Sequence, residues 1–155
     1  MVVVVLALLG GCAGPKGPIK NEPARAPGET TLFESLGGTP AITAIVDDWV
    51  ERAGRDPRVN FVREGHPHQW EATPDNVAQL KIYWTQYIGM LCDGPQIYEG
   101  RDMYTAHTGT QISDGEWLAM MLDLKQTLDA FRVPNDQQQD LMRRVAGTHD
   151  AIVNK

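Results

Sequence analysis

Beyond residue 31 the apolar positions of this chain recur at three- and four-residue intervals, the spacing of helices that each bury one face. Ile42, Ile45, Val46, Trp49 and Ala53 make one such stripe. Val77, Leu80, Trp84, Tyr87, Ile88 and Leu91 make a second, with Tyr83 on its flank. Trp117, Met121, Leu124, Leu128 and Phe131 make a third, and Leu141, Val145, Thr148 and Ile152 a fourth. End signals bracket these stripes. Thr39 reads as an N-cap with Pro40 at the first helical position, and Thr73 with Pro74 repeats that pair ahead of the second stripe. Ser113 and Glu116 have the spacing of a capping box. Gly54 with Pro57, then Asp93-Gly94-Pro95, then Val133-Pro134 act as stops, and Gly37-Gly38 closes a short opening turn at 32–36. No run alternates apolar and polar residues between turn signals, so no strand is expected. The predicted fold class is all-α: a short helix, a long one, a loop, two long helices with a short segment between them, and a final helix.

Residues 1–9 are almost wholly aliphatic and are followed by Gly10, Gly11 and Cys12. The run is too short to span a bilayer as a helix. It resembles a bacterial lipoprotein signal, in which a leucine and two small residues precede a lipid-modified cysteine. It departs from that pattern in having no Lys or Arg ahead of the run. On this reading residues 1–11 are the signal and Cys12 carries the lipid anchor. Residues 12–30, with Pro15, Pro18, Pro23 and Pro27, form a disordered tether, and residues 31–155 form the domain. The implied location is extracytoplasmic, on the periplasmic side. Ala13 is not an acidic retention residue, which favours the outer membrane over the inner.

Charge and cysteine usage narrow the function. The formal net charge is -6 and no basic stripe appears, which argues against nucleic acid as a partner. Two cysteines, Cys12 and Cys92, make neither a disulfide framework nor a zinc cluster. Cys92 reads as a small buried residue at a helix end.

The richest stretch is residues 98–107, Tyr-Glu-Gly-Arg-Asp-Met-Tyr-Thr-Ala-His. It predicts a turn and a short helix that ends at His107, stopped by Thr108 and Gly109. A neutral imidazole is a ready iron ligand. Near a helix C-terminus, its other ring nitrogen is expected to donate to a carbonyl one turn back. Three further blocks stand in order with this one: Leu-Phe-Glu-Ser-Leu-Gly-Gly at 32–38, Asp-Pro-Arg-Val-Asn-Phe at 56–61, and Asp-Gly-Pro at 93–95. Together they resemble the group I truncated haemoglobins over nearly all of residues 32–153.

The resemblance implies a truncated globin-like, two-over-two helical sandwich that holds haem b. No C-x-x-C-H run is present, so the haem is expected without thioether bonds. The implied iron ligand is His107. The implied haem contacts are Phe61 at the ring edge, Leu80, Tyr83, Trp84 and Tyr87 on the distal wall, Met103 of the proximal block, and Trp117 behind. The implied function is reversible binding of O2 or another diatomic gas, NO or CO. This chain departs from the family on the distal side. Val50 stands where many members place a tyrosine donor, and Leu80 where a polar residue is frequent. Tyr83 stands where some members keep a histidine, and Trp84 where a glutamine is frequent. Tyr83 or the Trp84 indole is the expected donor to the gas.

Two other classes stay open. One is a haem enzyme that dioxygenates NO or reduces peroxide with a separate reductase. The other is a six-coordinate electron-transfer or sensor protein with Tyr83 on the iron. A haem-free helical scaffold is a fourth reading, opposed by the intact block around His107. His66 and His68 read as loop residues, His149 as solvated or at the core edge, and Lys81 and Arg101 as solvated cations. Met120 and Met121 read as core filler.

Overall fold

The computed structural model describes residues 28–153. The lipoprotein signal, Cys12 and the tether up to residue 27 therefore lie outside the described residues. Among the described residues seven helices follow one another: α1 (Leu32–Leu36), α2 (Gly38–Arg55), α3 (Pro74–Leu91), α4 (Met103–His107), α5 (Asp114–Ala130), α6 (Asn135–Ala146) and α7 (His149–Ile152). Among the described residues there is no strand.

The caps explain most of the boundaries. Thr31 and Glu34 form a reciprocal capping box at α1, and Ser113 and Glu116 form the expected one at α5. The Thr73 hydroxyl accepts from the Asn76 amide, 3.2 Å, with Pro74 opening α3. Gly37 ends α1 in the left-handed region (φ 104°), where a side chain would also press on the Ala41 Cβ at 3.0 Å. The chain turns so tightly there that α2 begins at Gly38, ahead of the expected Thr39 cap. The Thr39 hydroxyl instead accepts from Gln96 Nε2 at 2.7 Å.

Two other expectations are corrected. The final helix is two. Thr148 turns both its amide and its hydroxyl back to the Val145 carbonyl, at 2.9 and 2.7 Å, an i to i−3 turn that breaks the α ladder after Gly147. Phe131, read as part of the buried α5 stripe, is 44% exposed because α5 has ended one residue earlier.

Four helices make the body. α2 packs on α3 and α5, and α6 packs on α5 and α3, so two helix pairs are stacked one over the other. α1 lies on α2 and α6, and α4 on α7. The α2 stripe is buried in full. Apart from Ala53, which packs with Val59 and Ala119, it meets Ile88 of α3, Met121, Leu124 and Leu128 of α5, and Leu141 and Val145 of α6 in one apolar cluster. Burial of this kind of surface is the main favourable term in folding. Trp49 enters the cluster without orphaning its indole N–H, which donates to the Met120 carbonyl at 3.0 Å. Thr127, also fully buried, donates to Asp48 at 2.7 Å and so joins α5 to α2. Arg144 of α6 reaches the end of α3, donating to the Leu91 carbonyl (2.6 Å) and Asp93 (2.8 Å). Cys92 is sealed beside them, and burial pushes its thiol up to about 12, so it is inert filler as expected.

Candidate functional site

His107 closes a helix of five residues, none of them fully buried. Sequence-local bonds hold that helix in place. The Asp102 carboxylate accepts from the Thr105 amide (2.9 Å), and the Tyr98 hydroxyl donates to the Arg101 carbonyl (2.7 Å) just upstream. Beyond the helix, the Thr110 amide and hydroxyl both donate to the His107 carbonyl, at 3.1 and 2.7 Å. Gly109 is in the left-handed region (φ 77°), and a Cβ there would lie 2.9 Å from the His68 ring, so both backbone and neighbour require glycine.

The imidazole itself is oriented. His107 Nδ1 lies 2.7 Å from the Met103 carbonyl oxygen, the bond one turn back that the sequence suggested. A carbonyl only accepts, so Nδ1 carries the proton and Nε2 carries the lone pair. Burial holds the ring below the usual imidazole range and the Arg101 charge adds to that, against the opposing pull of the Met103 bond. The result is a neutral imidazole with a free ligand nitrogen, the form that binds iron.

The other expected site residues have a common condition. Phe61, Leu80, Tyr83, Trp84, Tyr87, Met103 and Trp117 are all half-buried, as is His107. The α3 stripe differs from that of α2 in the same way. Of its six members only Ile88 is fully buried. Val77, Trp84 and Leu91 pack against the edge of the core cluster, so this face of α3 lines the core while its large side chains stay half-covered.

The aromatic contacts fall into groups. Phe61 meets Trp84 (6.4 Å between ring centroids) and Trp70 (5.6 Å), and Trp84 meets Trp49 (4.6 Å). Tyr83 and Tyr87 form a second group, in which both meet the Tyr98 ring edge-on, at 6.3 and 5.0 Å. Trp117 packs edge-on against His149 at 5.6 Å. Val50 is fully within the apolar cluster and offers no donor.

Haem asks for apolar walls and a neutral imidazole with a free Nε2, and the residues present fit both demands. Lys81 departs from its expected solvated state. It pairs with Asp47 at 3.1 Å, whereas Arg101 is exposed. His66 lies 3.2 Å from Gln111 Oε1. His149 is held between Asp114 (3.0 Å) and Asp150 (2.9 Å), which raise its pKa. A shallow polar depression lined by Thr30, Leu32, Ser35, Asp136, Gln137 and Asp140 shares no residue with the His107 region.

Sequence reasoning missed three participants: Trp70, which packs on Phe61; Tyr98 as the ring that joins Tyr83 to Tyr87; and Arg63, buried beneath the loop between α2 and α3. Trp70 and Arg63 lie in an aperiodic loop, where pattern carries no signal.

Comparison with known proteins identifies the family and the fold. A family model described as bacterial-like globin matches residues 31–154. The Group 1 truncated hemoglobin GlbN of Nostoc sp. is 25% identical over 126 residues, covering 81% of this chain and 99% of the relative. The protein of the same name from Synechocystis sp. is 29% identical over 130 residues, covering 81% and 94%. Among solved structures, the truncated hemoglobin of Tetrahymena pyriformis in its Fe(III) form superposes with a TM-score of 0.70 at 24% identity, over 81% of this chain and 100% of that one. The group II truncated hemoglobin of Bacillus anthracis reaches 0.68 at 21% identity, over 82% and 93%. These two likenesses establish the shared fold. With a family match that spans the whole helical domain, the chain belongs to the bacterial-like globin family, and its domain is a truncated globin.

Proposed function

We propose that this chain is a haem b protein of the group I kind, with His107 Nε2 as the iron ligand, and that it binds O2, NO or CO reversibly. The observation that carries this reading is the bond from His107 Nδ1 to the Met103 carbonyl. The carbonyl accepts the Nδ1–H, burial lowers the ring's pKa, and Nε2 is left as the nitrogen with the lone pair. When bound, the haem supplies an open coordination position for a diatomic gas. The chain's part is to hold and shield it. Met103 and Asp102 orient the imidazole, Phe61 and Trp117 supply apolar cover, and Leu80, Trp84 and Tyr87 of α3 exclude water from the gas side.

The test is the absorption spectrum of the purified chain with haem. A sharp Soret band that shifts on reduction and again with CO supports the reading. A chain that takes up no haem overturns it.

The gas side of this chain has no donor at position 50, and Tyr83 is the proposed one. A hydrogen bond to a partly charged ligand is worth about 1.5–3 kcal/mol, so Tyr83→Phe is expected to raise the O2 dissociation rate about 10- to 100-fold. Val50→Tyr is expected to lower it by a similar factor, measured by stopped-flow. If Tyr83→Phe is silent and Trp84→Phe is not, the donor is the indole.

The lipoprotein reading is part of the same proposal: Cys12 anchors the domain through the tether of residues 12–30, on the periplasmic side and in the outer membrane. It is supported by the aliphatic run before Gly10-Gly11-Cys12 and by the four prolines that follow. Labelled fatty acid should enter the wild-type chain in cells and not Cys12→Ala. Equal labelling in both would remove the anchor from the account.

A further inference from the structure

The loop between α2 and α3 lies across the residues that follow His107, and one buried side chain joins the two. Arg63 sits on that loop with its side chain only 7% exposed. Its Nη1 donates to the Glu116 carboxylate in the first turn of α5, and its Nη2 donates to the Gln111 carbonyl at 3.0 Å. The His66 Nε2 lies 3.3 Å from the same Nη2, and its Nδ1 lies 3.2 Å from Gln111 Oε1. His68, further along the loop, abuts Gly109. The backbone is bent to make this possible. Asn60, Arg63 and Gln111 all take positive φ, at 46°, 56° and 55°, a region non-glycine residues rarely occupy.

The two segments so joined are the ones that bound the proposed haem site. Two residues before Arg63 is Phe61, packed between Trp84 and Trp70, and the Val62 carbonyl accepts from the Trp70 amide at 3.0 Å. Four residues before Gln111 is His107, whose carbonyl is already tied to Thr110. Burying a guanidinium is a poor way to gain stability, since an apolar residue of similar volume does as well or better. What the planar fork offers instead is two directed bonds at once, to different elements, which fixes their spacing.

We propose that Arg63 is a positioning residue for His107. It locks residues 108–112 to the loop that carries Phe61, and so sets the spacing between the ring-edge phenylalanine and the imidazole. The haem part of this inference rests on the proposed function above; the holding of residues 108–112 does not.

The experiment compares the full chain with Arg63→Met/Glu116→Gln. The double change leaves no unpaired buried charge, and glutamine keeps the α5 capping box. Hydrogen exchange on the haem-free chain is expected to quicken about tenfold or more at residues 108–112, with α2 and α5 unchanged. Haem transfer from the loaded chain to an acceptor globin is expected to quicken about 10- to 100-fold. Arg63→Lys, which keeps the charge but not the fork, is expected to fall between. Unchanged exchange at 108–112 overturns the inference, and so does a rise spread evenly over all helices, which would make Arg63 a general stabiliser. Local quickening of exchange with unchanged haem transfer overturns the positioning role. If the wild-type chain takes up no haem, the proposed function fails, and the exchange arm still decides whether Arg63 holds the segment.

Discussion

Replacing His107 by glycine should abolish the sharp reduced-state Soret band of the loaded chain, and added imidazole should restore most of it. Loss of a residue that merely orients a metal ligand costs about 10- to 100-fold in affinity, so loss of the ligand itself should exceed about 100-fold. The change is local. α4 has no fully buried residue, and His107 is its last. The ring's departure gives up one hydrogen bond, worth about 1 kcal/mol net, and glycine at a helix end costs no more than about another. Helix content should therefore stay at the wild-type level by circular dichroism, and imidazole rescue separates a missing ligand from a damaged helix. An unchanged band in His107→Gly would mean that another imidazole holds the iron. The chain has four histidines. His66 is engaged by Gln111 and Arg63, and His149 by two aspartates. His68, against Gly109, is then the residue to remove next. A band that survives His107→Gly and is lost in His68→Ala would reassign the ligand.

What the sequence reveals about this site follows the range of the interactions. The α5 capping box, the Thr73-Pro74 start and the bond from His107 to Met103 all close within four residues, and each is legible from the local sequence, whereas sequence reasoning missed the box at Thr31 and Glu34. So is the buried face of α2, because a stripe packed on both partner helices is simply apolar. The break between α6 and α7 hid for the opposite reason. Ile152 resumes the spacing of Leu141 and Val145, so the pattern runs on across a turn that only the Thr148 bonds disclose. Long-range pairs left no trace. Thr39 gives up its capping role to a glutamine 57 positions away, and Arg63 meets Glu116 across 53. No propensity encodes such encounters; they are made by helix packing. The half-buried wall of α3 is the subtlest case. Its stripe is as apolar as that of α2, and only the structure separates a face that is fully buried from one that packs on the core and stays half-covered.

Leu124→Ala should lower the unfolding free energy of the haem-free chain by about 2–5 kcal/mol, while Leu118→Ala on the same helix should change it by less than about 0.5 kcal/mol. The two substitutions remove the same atoms. Leu124 is 1% exposed, in the cluster that α5 shares with α2, α3 and α6, whereas Leu118 is 60% exposed. Truncating the first forfeits its transfer free energy and leaves a cavity walled by helices that cannot all move in; truncating the second leaves only more water contact. Denaturant unfolding of both variants gives the two values. A loss below about 1 kcal/mol for Leu124 would mean that the four-helix core is not packed as described. The same pair, measured with haem bound, reports on the site. Bound haem raises stability by an amount set only by its concentration and its affinity for the folded chain. If Leu124 acts on the core alone, its cost is the same with and without haem. Trp117, packed against the edge of the core cluster, precedes it by two turns of α5, and Met121 lies between. A cost that grows when haem is bound would mean that the cavity reaches the proposed haem site through those two side chains, and that the core sets the width of that site as well as holding the helices together.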